Sequence, residues 1–228
     1  MKAMILAAGR GLRLRPLSDA VPKPLAEAGG KPLLAWHLER LARAGFRSVV
    51  INVSHLAEAI AERFGDGAGY GLAIAWSREA EPLETAGGIA QARGLLGPGP
   101  FLLLNADVHC DCDLAALRRH ELGERLAHLV LVPNPPHRPS GDFSLEAGRV
   151  GEASAPRYTY AGIAVLAPAL VAGVRAGEKA GLAPLLRAAA VRGAVSGELY
   201  EGRWSDAGTP ERLAELDRRL RARPTESA

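Results

Sequence analysis

Ala7-Ala8-Gly9-Arg10-Gly11-Leu12-Arg13-Leu14-Arg15-Pro16 follows directly on the apolar run from Lys2 to Ala7. A short apolar segment closed by glycine reads as a strand buried on both faces. In an open α/β sheet, ligands bind beyond the carboxyl ends of the strands, where this loop must lie. Gly9 and Gly11 let backbone amides approach phosphate oxygens with no Cβ in the way. An arginine there grips phosphate as a fork, which lysine cannot. The loop matches neither common nucleotide fingerprint: no Gly-Lys-Ser/Thr ends it, and no third glycine completes the dinucleotide pattern. The same residues can be read as a surface turn with solvated arginines. Pro22-Lys23-Pro24, a little downstream, favours a phosphate cradle.

Working outward, short strand-like runs alternate with amphipathic stretches. Strands are expected at 48–53, 72–76, 101–104 and 127–132, and helices at 33–44, 56–64, 86–96 and 114–121. Apolar spacing at Leu34, Leu38 and Leu41, with Gly45 as a stop, is typical of the helical segments. After Pro133 the pattern changes to a proline-rich loop. Shorter strand candidates follow around Phe143, Val150 and 158–166, then helices at 182–192 and 210–221. Alternation of this kind predicts an α/β fold whose central mixed, mostly parallel sheet is flanked by helices. We expect residues 1–222 to form one domain, with a first half at about 1–132, a substrate-facing second half at about 133–222, and 223–228 as a tail.

Composition narrows the class. The 228 residues are 48% hydrophobic and 23% charged, close to globular averages. No apolar run approaches a membrane span, and the first residues are too short and too quickly followed by arginines for a secretion signal. The expectation is a cytoplasmic protein without a membrane partner. Net charge is only +3, from 28 basic and 25 acidic residues. The early basic cluster (Arg10, Arg13, Arg15, Lys23, Lys31) sits among Gly and Pro, which suits a small polyanion better than a nucleic acid. Arg218, Arg219, Arg221 and Arg223 read as a solvated helix end. Cys110 and Cys112 stand too close together to brace a fold and lack the partner pair a zinc site needs.

With these residues in place, the sequence resembles the sugar-1-phosphate nucleotidylyltransferases. Their Gly-x-Gly-x-Arg-Leu-x-Pro loop corresponds to Gly9 through Pro16, and their Pro-Lys-Pro-Leu segment to Pro22-Lys23-Pro24-Leu25. The resemblance implies a Rossmann-like nucleotidyltransferase fold of GT-A-like type. It also implies transfer from a nucleoside triphosphate to a sugar 1-phosphate with release of pyrophosphate. Ala8, Gly9, Gly11 and Leu12 would hold phosphates through the backbone, Leu12 replacing the family's usual Thr. Arg13 and Lys23 match its triphosphate contacts. The opening residues and Glu81-Pro82-Leu83-Glu84-Thr85-Ala86-Gly87-Gly88-Ile89 look most like the branch using UTP and N-acetylmuramate 1-phosphate, with mannose-1-phosphate guanylyltransfer as the alternative.

Acidic and polar positions complete the candidate site. Leu102-Leu103-Leu104-Asn105-Ala106-Asp107 puts Asn105 and Asp107 on one side of a strand end. Asp206 precedes Gly208 and a helix start, so each Asp is also readable as a turn former or cap. The family pattern pairs Asp107 with Asp206 as ligands of Mg²⁺, which favours hard oxygen donors. Asp111 and Asp113 are weaker candidates, Asp113 reading as a helix cap. Glu79 or Glu81 could accept a hydrogen bond from the ring N–H of uracil, thymine or guanine, or could simply favour a helix N-terminus. Glu84 stands where the family's Pro-Leu-Gly-Thr-Ala-Gly segment has its first Gly, and Gly88 would allow close ligand approach. For the sugar phosphate the resemblance points to Asn105, Asp142 and Gly162. Two rivals remain at this level: a silent, ligand-sensing regulatory subunit, and a glycosyltransferase using Asp111-Cys112-Asp113.

Overall fold

The computed structural model describes residues 1–153 and 156–222; the expected tail, 223–228, lies outside the described residues. The first part of the chain runs β1 (Lys2–Leu6), α1 (Leu17–Ala20), β2 (Glu27–Ala28), β3 (Lys31–Pro32), α2 (Leu33–Arg43), β4 (Ser48–Val53), α3 (Ala57–Phe64) and β5 (Ala73–Arg78). Next come α4 (Glu84–Gln91), α5 (Arg93–Leu96), β6 (Phe101–Asn105), β7 (Val108–Cys110), α6 (Leu114–Arg119) and β8 (Ala127–Val132). The remainder is β9 (Phe143–Glu146), β10 (Arg149–Gly151), β11 (Arg157–Leu166), α7 (Leu182–Val191), β12 (Val195–Leu199), β13 (Trp204–Asp206) and α8 (Pro210–Arg221).

Nine strands form one sheet in the order β5-β4-β1-β6-β11-β8-β12-β10-β9. The pairs β5–β4, β4–β1, β1–β6 and β8–β12 are parallel, whereas β11 runs antiparallel to both β6 and β8. The fold is therefore the mixed α/β sheet expected. Period-2 alternation serves two cores at once. Ala3, Ile5, Val49, Ile51, Leu102 and Leu104 face α2, α3 and α6, whereas Met4, Val50, Phe101 and Leu103 face α4 and α7.

Two departures from the sequence expectation matter for the site. The helix expected over 86–96 breaks at Ala92 and begins earlier, at Glu84. A separate ribbon, β7 with β13, pairs Val108 with Asp206, and its three-residue strands were not anticipated. A third small core ties these parts together. Leu213, Leu216 and Leu220 of α8 pack with Leu33, with Leu14 of the glycine-rich loop and with Ala26 and Ala28 beside it. Thr209 caps α8, its Oγ1 accepting from Arg212 N–H at 3.4 Å, and Asp113 caps α6 through Ala115 and Ala116.

Candidate active site

The carboxyl ends of β1, β4, β5 and β6 are tied into one floor. Ala106 N–H donates to the Leu6 carbonyl at 3.1 Å. Ala7 N–H donates to Oδ1 of buried Asn52 at 2.9 Å, and Asn52 Nδ2 donates to Glu79 Oε1 at 2.7 Å. Glu79 Oε2 accepts from Leu83 N–H at 2.9 Å. Above this floor lies a cleft of about 510 Å³ lined by Ala8, Gly9, Gly11, Leu12, Arg13, Lys23 and Asp107, among others. Gly11 sits at φ +62°, and its carbonyl accepts from Ser18 Oγ at 2.8 Å. A Cβ there would lie 3.2 Å from Ser18 Cβ, so the positive φ and this close neighbour both favour glycine.

The structure also sorts the early basic cluster. Arg15 pairs with Asp19 at 2.9 Å and Lys31 with Glu39 at 2.7 Å, while Arg13 and Lys23 face the cleft. At the helix end, Arg219 and Arg221 pair with Glu215 and Asp217.

A second cavity of about 470 Å³ adjoins the first and shares Arg13, Glu84, Thr85, Asn105 and Asp107 with it. Its far wall includes Asp142, Phe143, Tyr160, Gly162, Arg138 and Arg187. Register along β11 shifts between Tyr160 and Ala164, a bulge that opens the strand at the cleft. Gly162 lies in it at φ +76°, where a Cβ would sit 2.7 Å from Asn105 Nδ2. Asp142 is held by Tyr160 N–H, which donates to its Oδ2 at 2.9 Å.

Asp107 and Asp206 meet across the short ribbon. Ala207 N–H donates to the Asp107 carbonyl at 2.8 Å, and both Asp side chains line the second cavity. Asp107 pairs with Lys23. Asp206 is gripped by Arg212 Nε at 2.8 Å, His137 Nε2 at 2.9 Å and Gly208 N–H at 3.0 Å. Burial pushes the Asp206 carboxyl up, but Arg212, the Gly208 amide and His137 together hold it below the usual range, so it is an anion near neutrality. Asp107, which lines both cavities, and Asp206, which lines the second, give the hard oxygen donors a divalent cation prefers, with phosphate and water left to complete the shell. Among the described residues no cluster of three or more His, Cys, Asp or Glu could hold a metal by itself. Asp111 is used otherwise: its Oδ1 accepts from Arg203 N–H at 2.9 Å.

The structure brings together Ala8, Gly9, Gly11, Leu12, Arg13, Lys23, Asn105 and Asp107 on one side, and Asp142, Gly162 and Asp206 on the other. Of the proposed base readers, Glu81 is exposed and outside the cleft lining. Glu79 lines the cleft, but each of its oxygens already accepts a hydrogen bond within the protein. Gly88 packs behind this pair, where a Cβ would lie 2.7 Å from both Asn52 Nδ2 and Glu79 Oε1. Asn52, His137, Gly208 and Arg212 were not singled out in the sequence. Gly208 permits the cluster around it, since a Cβ would fall 2.2 Å from Arg212 Nη2 and 3.3 Å from Arg13 Nη2.

A profile of the nucleotidyl transferase family matches residues 2–145. The chain belongs to that family. It is 50% identical over 222 residues to the N-acetylmuramate alpha-1-phosphate uridylyltransferase of Neisseria meningitidis serogroup B, covering 94% of this chain and 96% of that one. It is 30% identical over 223 residues to a mannose-1-phosphate guanyltransferase, beta-A, of Xenopus laevis, covering 92% of this chain and 62% of the relative. The same fold recurs at 17% identity in a Bacillus anthracis protein described as a glucose-1-phosphate thymidylyltransferase, with a TM-score of 0.88 over 100% of this chain and 98% of that one. This chain is thus a sugar-1-phosphate nucleotidyltransferase, an enzyme of nucleotidyl transfer. No described helix is long and apolar enough to cross a membrane.

Proposed function

We propose that the enzyme transfers the uridylyl group of UTP to N-acetylmuramate 1-phosphate in the cytoplasm, giving the UDP-sugar and pyrophosphate. One observation carries the reading: two cavities share Arg13, Asn105 and Asp107, so one cationic, carboxylate-edged seam can serve two phosphorylated reactants. The strong relative named above supports the choice of base and sugar. Residues 1–132 would hold the nucleotide and 133–222 bind the sugar. No nucleic acid or membrane partner enters this scheme.

The attacking phosphate oxygen is already anionic, so no protein base or covalent nucleophile is required. The barrier comes from bringing two anions into line, and catalysis is positioning with charge neutralisation. Backbone amides of Gly9, Gly11 and Leu12 would orient the β- and γ-phosphates. Arg13 would stabilise the departing pyrophosphate, and Lys23 would neutralise the α-phosphate. Asn105, Asp142 and Gly162 would fix the sugar phosphate at the bulge. Asp107 and Asp206 would hold Mg²⁺, which when bound supplies charge neutralisation to the reacting phosphates.

The test is pyrophosphate release in a matrix of UTP, GTP, dTTP and CTP against the 1-phosphates of N-acetylmuramate, N-acetylglucosamine, glucose and mannose, with magnesium or EDTA. UTP with N-acetylmuramate 1-phosphate should be fastest, and EDTA should stop it. Preference for GTP and mannose 1-phosphate would overturn the assignment.

A further inference from the structure

Glu84 opens α4 at φ +61°, a left-handed conformation natural to glycine and strained for other residues. The family segment that this stretch resembles has glycine there. A clamp between the two halves of the chain holds the strained residue. Ala180 N–H donates to the Leu83 carbonyl at 3.0 Å, and the Ala86 and Gly87 N–H groups donate to the Ala180 carbonyl at 2.9 and 3.0 Å. Two glycines clear the space. A Cβ on Gly87 would lie 2.3 Å from the Glu178 carbonyl, and one on Gly181 would lie 3.2 Å from Glu84 Oε2.

Protein contacts give little reason for a carboxylate here. Its ion-pair partner, Lys179, is 3.8 Å away, and the two side chains are 67% and 53% exposed, so the pair is weak. Yet Glu84 lines both cavities, at the seam the reactants share. Strain that the surroundings maintain beside a cleft marks a functional demand on the residue. A carboxylate accepts hydrogen bonds and repels anions, so its favourable neighbour is the uncharged part of a substrate and not a phosphate.

We propose that Glu84 determines sugar specificity: its carboxylate accepts a hydrogen bond from a hydroxyl or amide N–H of the sugar moiety. This rests on the nucleotidyl-transfer reading but not on which sugar is used. Glu84→Gly and Glu84→Gln should be compared with the full-length wild type, using the sugar 1-phosphate that the wild type turns over fastest. Glu84→Gly should raise the KM for the sugar phosphate about tenfold and leave the KM for UTP within about twofold, as loss of one charged acceptor predicts. Its thermal midpoint should equal or exceed that of the wild type, because the strain is gone. Glu84→Gln, which keeps an acceptor but not the charge, should raise the sugar KM about threefold. Repeating the assay with an acetamido and a 2-hydroxy sugar separates the two donors. A sugar KM within about twofold of wild type in both variants, or a rise confined to UTP, would overturn the proposal. Preference for a sugar other than N-acetylmuramate would sink that substrate and leave this comparison intact.

Discussion

Arg212 holds the carboxylate of Asp206, the proposed magnesium ligand, at 2.8 Å. With Arg212 and His137 in place, the Asp206 carboxyl titrates below its ordinary value of 3.8. Its contribution to stability is therefore present above that value and lost as pH falls through the lower folded one. Arg212→Ala should move the carboxyl back up, because burial then acts with less opposition. The acid limb of the kcat/KM profile should shift to higher pH, and an unmoved limb would show that Arg212 does not govern Asp206. His37 gives a second, independent pH effect. Burial first, then Arg40 and His109, push it down from 6.5 to about 3, against its hydrogen bond to the Ala106 backbone. Folded His37 stays neutral while the unfolded residue takes up a proton near 6.5. Stability is then full above that pH and falls by about 1.4 kcal/mol per pH unit as pH drops toward 3. On this account thermal midpoints should hold level from pH 8 to about 6.5 and fall from there to pH 5 in the wild type, less steeply in His37→Leu. Glu84 belongs at this scale too: a left-handed non-glycine residue costs about 1–2 kcal/mol, and an exposed ion pair returns about 0–1.

At the scale of elements, the clamp between α4 and the segment before α7 joins the walls of both cavities. Gly87→Ala should force Cβ against the Glu178 carbonyl and part this clamp. We expect a destabilisation of about 1–3 kcal/mol with a larger loss of turnover than of fold. Denaturant melts beside kinetics check it, and a variant of wild-type stability and activity would deny the clamp its role. Most elements could be read from the chain because β1, β4, β6 and β8 are mostly apolar and α2, α7 and α8 carry helical spacing with identifiable stops. β12 could not, since Gly197 and Glu198 interrupt its pattern. β7 and β13 are three residues each, too short for any period. Within the site, Arg13, Lys23 and Asp107 stood out because loop glycines and a strand end point to them. Arg212 stands in a helix dense with arginines, and only tertiary packing shows that it pairs with Asp206 while Arg219 and Arg221 pair within the helix. Sequence alone does not show that Glu79, one of the two candidate base readers, is already bonded by Asn52 and Leu83.

For the whole molecule, one sheet runs through both halves, so the glycine-rich loop and the bulged wall on β11 are fixed relative to each other. α8 then returns from the ribbon carrying Asp206 to pack on the loop carrying Arg13. The account therefore predicts that one cation between two distant carboxylates joins the two reactants. Its most direct test is pyrophosphate release from UTP and the preferred sugar 1-phosphate, measured against magnesium concentration for wild type, Asp107→Asn and Asp206→Asn. Both variants should need far more magnesium and lose about 100-fold or more in kcat. Wild-type magnesium dependence and turnover in either variant would contradict the account.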